Sequence, residues 1–114
     1  MTDCLFCRII QKQIPATIVE ETDQTLAFRD INPRAPVHVL VIPKLHISSL
    51  MDLKPEHAAV LSAMHQTIQA VAEKEGLTAT GFRTVVNNGK DAGQAVSHIH
   101  YHVLGGRKLN WPPG

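Results

Sequence analysis

The 114-residue sequence predicts an α+β domain on an antiparallel sheet, and three observations carry the prediction. One long stretch, Pro55 to Glu75, repeats apolar residues at helical spacing. Short β-branched or alternating runs fall on both sides of it. Prolines and glycines punctuate the joins, and no internal repeat, low-complexity tract or linker interrupts residues 1–114, which read as one domain.

Residues 4–12, CLFCRIIQK, place apolar side chains at 5, 6, 9 and 10 and predict a short amphipathic helix ended by Pro15. Thr17 to Glu21 and Thr25 to Arg29 predict a hairpin across Thr22-Asp23-Gln24. Residues 30–36 predict a loop, because Pro33 and Pro36 each bias the preceding residue away from helix. Val37 to Ile42 predicts a central strand closed by Pro43. In the long helix, Leu61, Met64, Ile68 and Val71 form one buried stripe, Pro55 suits the first helical position and Gly76 suits a left-handed cap. Phe82 to Asn87 and Val96 to Leu104 predict two further strands around the polar, glycine-bearing loop 88–94.

Composition narrows the function. A formal charge of +1 and the lack of a basic run exclude the usual electrostatic footprint of a nucleic-acid binder. No segment approaches the roughly 20 apolar residues of a membrane helix, and MTDCLFCRII does not read as a signal peptide, so a cytoplasmic location is expected. Cys4 and Cys7 stand in C-x-x-C spacing, which in a reducing compartment favours a metal or redox role over a disulfide.

The run His98-Ile99-His100-Tyr101-His102 is the most informative stretch. Strand alternation puts the three histidines on one face, with same-face neighbours about 6.5–7 Å apart. Such a set can chelate a metal, or a central histidine can act as a nucleophile that its neighbours position and supply with protons. The loop Asn88-Gly89-Lys90-Asp91-Ala92-Gly93-Gln94 precedes it, and its glycines suit a backbone cradle for phosphate.

The run HIHYHVL resembles the histidine triad pattern, His-φ-His-φ-His-φ-φ with Tyr101 counted as φ. The stretches IIQKQIPA, LAFRDINPRAPVHVLVIPKLHI and VVNNGKDAGQAVSHIHYHVLGGRKLNWPPG extend that resemblance over nearly the whole chain, to the Hint branch of histidine triad nucleotide-binding proteins. The resemblance implies a HIT-like five-stranded antiparallel sheet with one long and one short helix, and a homodimer. The implied activity is a purine nucleoside phosphoramidase acting on adenosine 5′-phosphoramidates and aminoacyl-adenylates, with an AMP-type ligand and no cofactor required for catalysis. By matching position, His100 is the nucleophile, His102 contacts the α-phosphate, and His38 helps to orient and protonate the site. Asn87, Gly93 and Gln94 match phosphate-side contacts. Phe6, Phe28, Asp30 and Ile31 match the base and ribose pocket, and Trp111 matches a tail residue that reaches the partner's site.

Attack by imidazole forms a phosphorus–nitrogen bond that water can then hydrolyse, and histidines titrating near neutral pH would be suitable acids for an amine leaving group. Ala95 stands where Hint-type sequences usually carry a serine close to the scissile bond. Some branches of the family pair a C-x-x-C with two histidines around a structural zinc, and the matching set here is Cys4, Cys7, His46 and His98. Two other readings remain: a dinucleoside polyphosphate hydrolase using the same nucleophile, and a non-catalytic nucleotide- or zinc-binding module. His57 and His65 read as surface or boundary residues of the long helix.

Overall fold

The computed structural model describes residues 3–114. Its elements are α1 (Leu5–Ile10), β1 (Ile18–Glu21), β2 (Thr25–Arg29), β3 (Val37–Pro43), α2 (Ala58–Lys74), β4 (Phe82–Val86) and β5 (Tyr101–Gly105), with single 3-10 turns at Leu50–Asp52 and Pro55–His57. The five strands form one antiparallel sheet in the order β1-β2-β3-β5-β4, as the α+β reading expects.

Strand alternation sorts the core into two layers. One sheet face carries Ala27, Val39, Val41 and Val103 against Met64, Ile68, Val71 and Ala72 of α2. The other carries Leu26, Phe28, Leu40 and Ile42 against Phe6 and Ile9 of α1. His38, two residues from Leu40 on β3, and His102, paired with Leu40 in the ladder, fall on the α1 face. The site therefore lies on the side opposite the long helix.

The helix ends follow their local chemistry. Cys4 caps α1, its sulfur accepting from the Cys7 N–H at 3.4 Å, so the predicted helix over 4–12 contracts to 5–10. At the start of the predicted helix 55–75, the first turn is 3-10, and the Lys54 N–H donates to His57 Nδ1 at 3.0 Å. At its end Gly76 adopts φ +72, and the Leu77 N–H closes on the Ala72 carbonyl at 2.8 Å in a Schellman arrangement.

The predicted strand over 96–104 is corrected to Tyr101–Gly105. Beyond Tyr101 the ladder would have to continue along Ile42 and Pro43. Pro43 has no N–H to offer, and its carbonyl instead accepts the His98 ring at 2.8 Å. Residues 98–100 are held off the ladder, with the Ile99 N–H on the Ile47 carbonyl at 2.7 Å.

Candidate active site and metal cluster

The three histidines keep their common face although only His102 belongs to the strand. Ring centroids of His100 and His102 lie 5.2 Å apart, as do those of His102 and His38. Phe6 meets His100 edge-on at 5.1 Å, His98 at 5.9 Å and Phe28 at 5.5 Å. Phe6 and Phe28 are buried, and together they form an apolar wall behind the imidazoles.

The hydrogen bonds fix the tautomers. His100 Nδ1 lies 2.8 Å from the His98 carbonyl, which can only accept, so Nδ1 carries the proton and Nε2 keeps its lone pair. The Arg34 backbone N–H donates to His38 Nδ1 at 3.0 Å, so the His38 proton sits on Nε2. That Nε2–H donates to His102 Nδ1 at 2.9 Å, and His102 is left with its proton on Nε2. Every fully buried side-chain nitrogen or oxygen among the described residues has a partner. The unpartnered Nε2 atoms of His100 and His102 therefore reach the surface, where a ligand can meet them. One presents a lone pair and the other a hydrogen.

Burial pushes His102 down to about 4, helped by its His100 and His38 neighbours and opposed by Asp30. His98 is also pushed down to about 4, chiefly by burial, and His38 is lowered for the same reason. Burial thus favours the neutral imidazole in all three rings, against the expectation that neighbouring histidines titrate near neutral pH.

The second constellation joins Cys4 and Cys7 at the start of α1 to His46 and His98, with all four donor atoms within 4.8 Å of one another. His98 Nδ1 lies 3.4 Å from Cys4 Sγ, 3.6 Å from Cys7 Sγ and 3.2 Å from His46 Nδ1, and His46 Nδ1 lies 3.3 Å from Cys7 Sγ. Ligand bonds of about 2.3 Å for sulfur and about 2.0–2.1 Å for nitrogen, at tetrahedral angles, give edges of about 3.5 and 3.3 Å. The donors fit that figure. His98 Nε2–H is anchored on the Pro43 carbonyl, so its Nδ1 lone pair faces the cluster. The set could hold a metal ion.

Asp30, His38 and His102 also gather a carboxylate and two ring nitrogens. There His38 Nε2 already carries the proton that Arg34 forces onto it, so this trio is a hydrogen-bonded chain and not a ready donor set. Asp30 Oδ2 stands 3.4 Å from His38 Nε2, and its Oδ1 accepts the Asn32 N–H at 2.8 Å.

The remaining candidate residues separate by role. Gln94 donates both side-chain hydrogens, to the Ser48 carbonyl at 2.7 Å and the Val96 carbonyl at 3.1 Å, while its oxygen accepts the Gly89 N–H at 2.9 Å. Gln94 therefore braces the loop, and its side chain keeps no hydrogen for a phosphate. Gly93, at φ +80, closes the same loop through its N–H on the Lys90 carbonyl. Asn87 follows Val86, whose ladder partner is Tyr101, which sets it level with His100. Ile31 is 91% exposed on the loop after β2, and Trp111 is 79% exposed with the Arg83 guanidinium 5.8 Å above its ring. Sequence reasoning missed Arg34, Pro43 and Ser48, which act through backbone groups that leave no trace in residue type.

A family model described as HIT domain matches residues 11–109. The chain is 48% identical over 112 residues to the adenylylsulfatase HINT1 of Arabidopsis thaliana, covering 96% of this chain and 76% of that protein. It is 47% identical to a 14 kDa zinc-binding protein of Brassica juncea, covering 98% of this chain and 100% of the relative. The structure superposes with a TM-score of 0.96 on a HIT family hydrolase from Legionella pneumophila, at 47% identity and covering 98% and 100% of the two chains.

Proposed function

From the premise that the chain belongs to the HIT domain family, we propose that it is a Hint-type nucleotidyl hydrolase acting through a covalent nucleotidyl-histidine. Its substrates are purine nucleoside 5′-phosphoramidates and acyl-adenylates. The observation that carries this reading is the His100 ring, whose Nδ1–H is held by the His98 carbonyl at 2.8 Å while Nε2 presents a lone pair at the surface.

In the first step Nε2 attacks the α-phosphorus, the new phosphorus–nitrogen bond forms, and the leaving group departs with the electrons of its bond. The His98 carbonyl stabilises the positive charge that builds on the attacking ring. The His102 Nε2–H donates to a phosphoryl oxygen, and His38 holds His102 in the tautomer that can do so. In the second step water attacks phosphorus, the phosphorus–nitrogen bond breaks, Nε2 recovers its lone pair, and the proton from water passes to solvent. The product is the nucleoside 5′-monophosphate.

Phe6 and Phe28 offer an apolar wall for the base side, and Asp30 and Ile31 are assigned to the ribose. Asn87, Gly93 and Gln94 shape the phosphate side, with Gln94 acting through the loop it braces. Trp111 is assigned to the site of a second copy in a homodimer. The metal of the Cys4, Cys7, His46 and His98 set is zinc, a reading supported by the donor chemistry and by the zinc-binding relative. Zinc would supply structure there and take no part in phosphoryl transfer.

Rapid-quench mass spectrometry of protein mixed with an adenosine phosphoramidate or an acyl-adenylate tests the mechanism. A nucleotidyl adduct on His100 is expected, and His100→Ala should lose nearly all turnover while keeping AMP binding. Turnover without an adduct, or unchanged turnover in His100→Ala, would overturn the proposal.

A further inference from the structure

A metal held by thiolates is open to a reaction that one held only by imidazoles and carboxylates is not, because its sulfurs can be oxidised. We propose that Cys4 and Cys7 are an oxidation site, converted by hydrogen peroxide to a Cys4–Cys7 disulfide with release of the metal. The assignment rests on the zinc reading above and adds a reaction to a cluster otherwise given only a structural role.

The placement of the two sulfurs is the first ground. They are three residues apart in sequence and lie within the 4.8 Å that spans the four donor atoms. Cys4 precedes α1 in an extended conformation, φ −77 and ψ 119, and its sulfur accepts the Cys7 N–H at 3.4 Å. Reaching a sulfur–sulfur bond of about 2.05 Å takes a closure of less than about 3 Å, which side-chain rotation can supply.

Unequal exposure is the second ground. Cys4 is half-buried, while Cys7 is buried, with the His46 and His98 Nδ1 atoms 3.3 and 3.6 Å from its sulfur. A small oxidant therefore meets Cys4 first and finds Cys7 beside it as the resolving thiol. These are the chain's only cysteines, and both are free, so no other thiol of the chain competes for that second step.

In the first step the Cys4 sulfur attacks a peroxide oxygen. The sulfur–oxygen bond forms, the oxygen–oxygen bond breaks, and the departing hydroxide takes a proton to become water. In the second step the Cys7 sulfur attacks the Cys4 sulfur, the disulfide bond forms, and the second hydroxide likewise leaves as water. Two thiolates, one hydrogen peroxide and two protons thus become one disulfide and two waters. Sulfur loses two electrons and peroxide gains them. A disulfide carries no charge, and His46 and His98 alone are too few for a tetrahedral zinc site. The His98 ring keeps its bond to the Pro43 carbonyl at 2.8 Å, so the surroundings of His100 loosen without coming apart.

Treating the zinc-loaded protein with a modest excess of hydrogen peroxide, beside a chromogenic zinc chelator, tests this. Two thiols should disappear for each zinc released, and the peptide holding both cysteines should be lighter by about 2 Da than its reduced form. Dithiothreitol followed by zinc should restore thiols and metal together. A gain of about 32 Da on that peptide, the mark of a sulfinic acid, would overturn the proposal. So would thiols consumed while the zinc stays bound. In the metal-free state, Cys7→Ser should lose its remaining thiol at least about tenfold faster than Cys4→Ser, since only the former keeps the more exposed sulfur. Equal rates would overturn the order assigned to the two sulfurs, and the peptide mass of the parent stays decisive however the variants fold. A protein that takes up no zinc would sink the metal reading and this one with it. A protein that takes up zinc and keeps it under peroxide, with both thiols intact, would sink only the oxidation.

Discussion

The backbone carbonyl of His98 accepts the His100 Nδ1–H at 2.8 Å, while the ring of the same His98 stands among Cys4, Cys7 and His46. One residue thus belongs to two sites, through its main chain to His100 and through its side chain to the cysteine–histidine cluster. Anything that loosens the cluster loosens the carbonyl that orients His100.

The first prediction follows from that link. Cys7→Ser, or removal of bound metal by a chelator, should lower the melting temperature and slow formation of the His100 adduct roughly tenfold, within the range seen when groups supporting a site are lost. AMP affinity should change little, since the proposed nucleotide contacts at Phe28, Asp30 and His102 lie outside the cluster. At a thousandfold excess over its Kd, a metal adds about 4 kcal/mol of stability. Calorimetry with and without added zinc measures the first effect and rapid quench the second. Equal stability with and without zinc would remove the cluster from consideration as a metal site.

Acid should destabilise the metal-free protein. His98 and His102 are held down to about 4, against about 6.5 in an unfolded chain. Above about 6.5 both states leave the rings neutral and stability is full. As pH falls from about 6.5 to about 4, the unfolded chain takes up protons that the fold refuses, so stability is lost across that window. The ceiling is about 1.4 kcal/mol per pH unit for each ring. Fully buried His98 should approach that ceiling, and half-exposed His102 should fall below it. Urea titrations at pH 7, 6, 5 and 4.5 read the slope, and a flat profile would contradict the neutral-imidazole assignment.

Much of this architecture is legible from residue type, because α2 declares itself by the Leu61, Met64, Ile68 and Val71 spacing and β3 by its unbroken apolar run. The gathering of His38 with His102, and of Cys4 and Cys7 with His98, depends on contacts more than 60 residues apart in sequence. Local pattern cannot supply those without the family resemblance. Alternation gave the right face for His98 and His100 but the wrong element. An extended segment alternates its side chains whether or not its backbone joins a ladder, and Pro43 ends the ladder here. The tautomers were beyond reach because Arg34 and His98 fix them with main-chain atoms.

A chain of hydroxyls links the β1–β2 turn to α2. Thr22 Oγ1 and Thr25 Oγ1 are 2.6 Å apart, as are Thr25 Oγ1 and Thr67 Oγ1, and Thr25 and Thr67 are buried. Thr67→Val keeps the shape but leaves the Thr25 hydroxyl short of a partner, which should cost about 1–3 kcal/mol. The double variant Thr25→Val with Thr67→Val should be less destabilised than the sum of the singles, since it removes both ends of the bond. Urea denaturation of the three variants measures this, and simple additivity would rule out the coupling.

Gly105 closes β5 where the chain passes the buried Leu77 that follows the α2 cap. A Cβ at residue 105 would lie 2.7 Å from Leu77 Cδ2 and 2.9 Å from Leu77 Cδ1, inside any tolerable contact. Leu77 is 2% exposed and packed with Val71 and Val103, so its branch has little room to retreat. Gly105→Ala should therefore destabilise by about 1–3 kcal/mol, as overpacking does elsewhere. Shortening the opposing branch should relieve it: Leu77→Val alone loses packing, but combined with Gly105→Ala it should cost less than the two separate effects added together. The active-site face lies on the other side of the sheet, so the kcat of Gly105→Ala below its melting point should stay within about twofold of the parent, because a change of 0.4 kcal/mol in the barrier already doubles a rate. A tenfold loss of kcat in a folded Gly105→Ala would mean that the α2 layer transmits strain to the histidines, against the separation of the two layers described above.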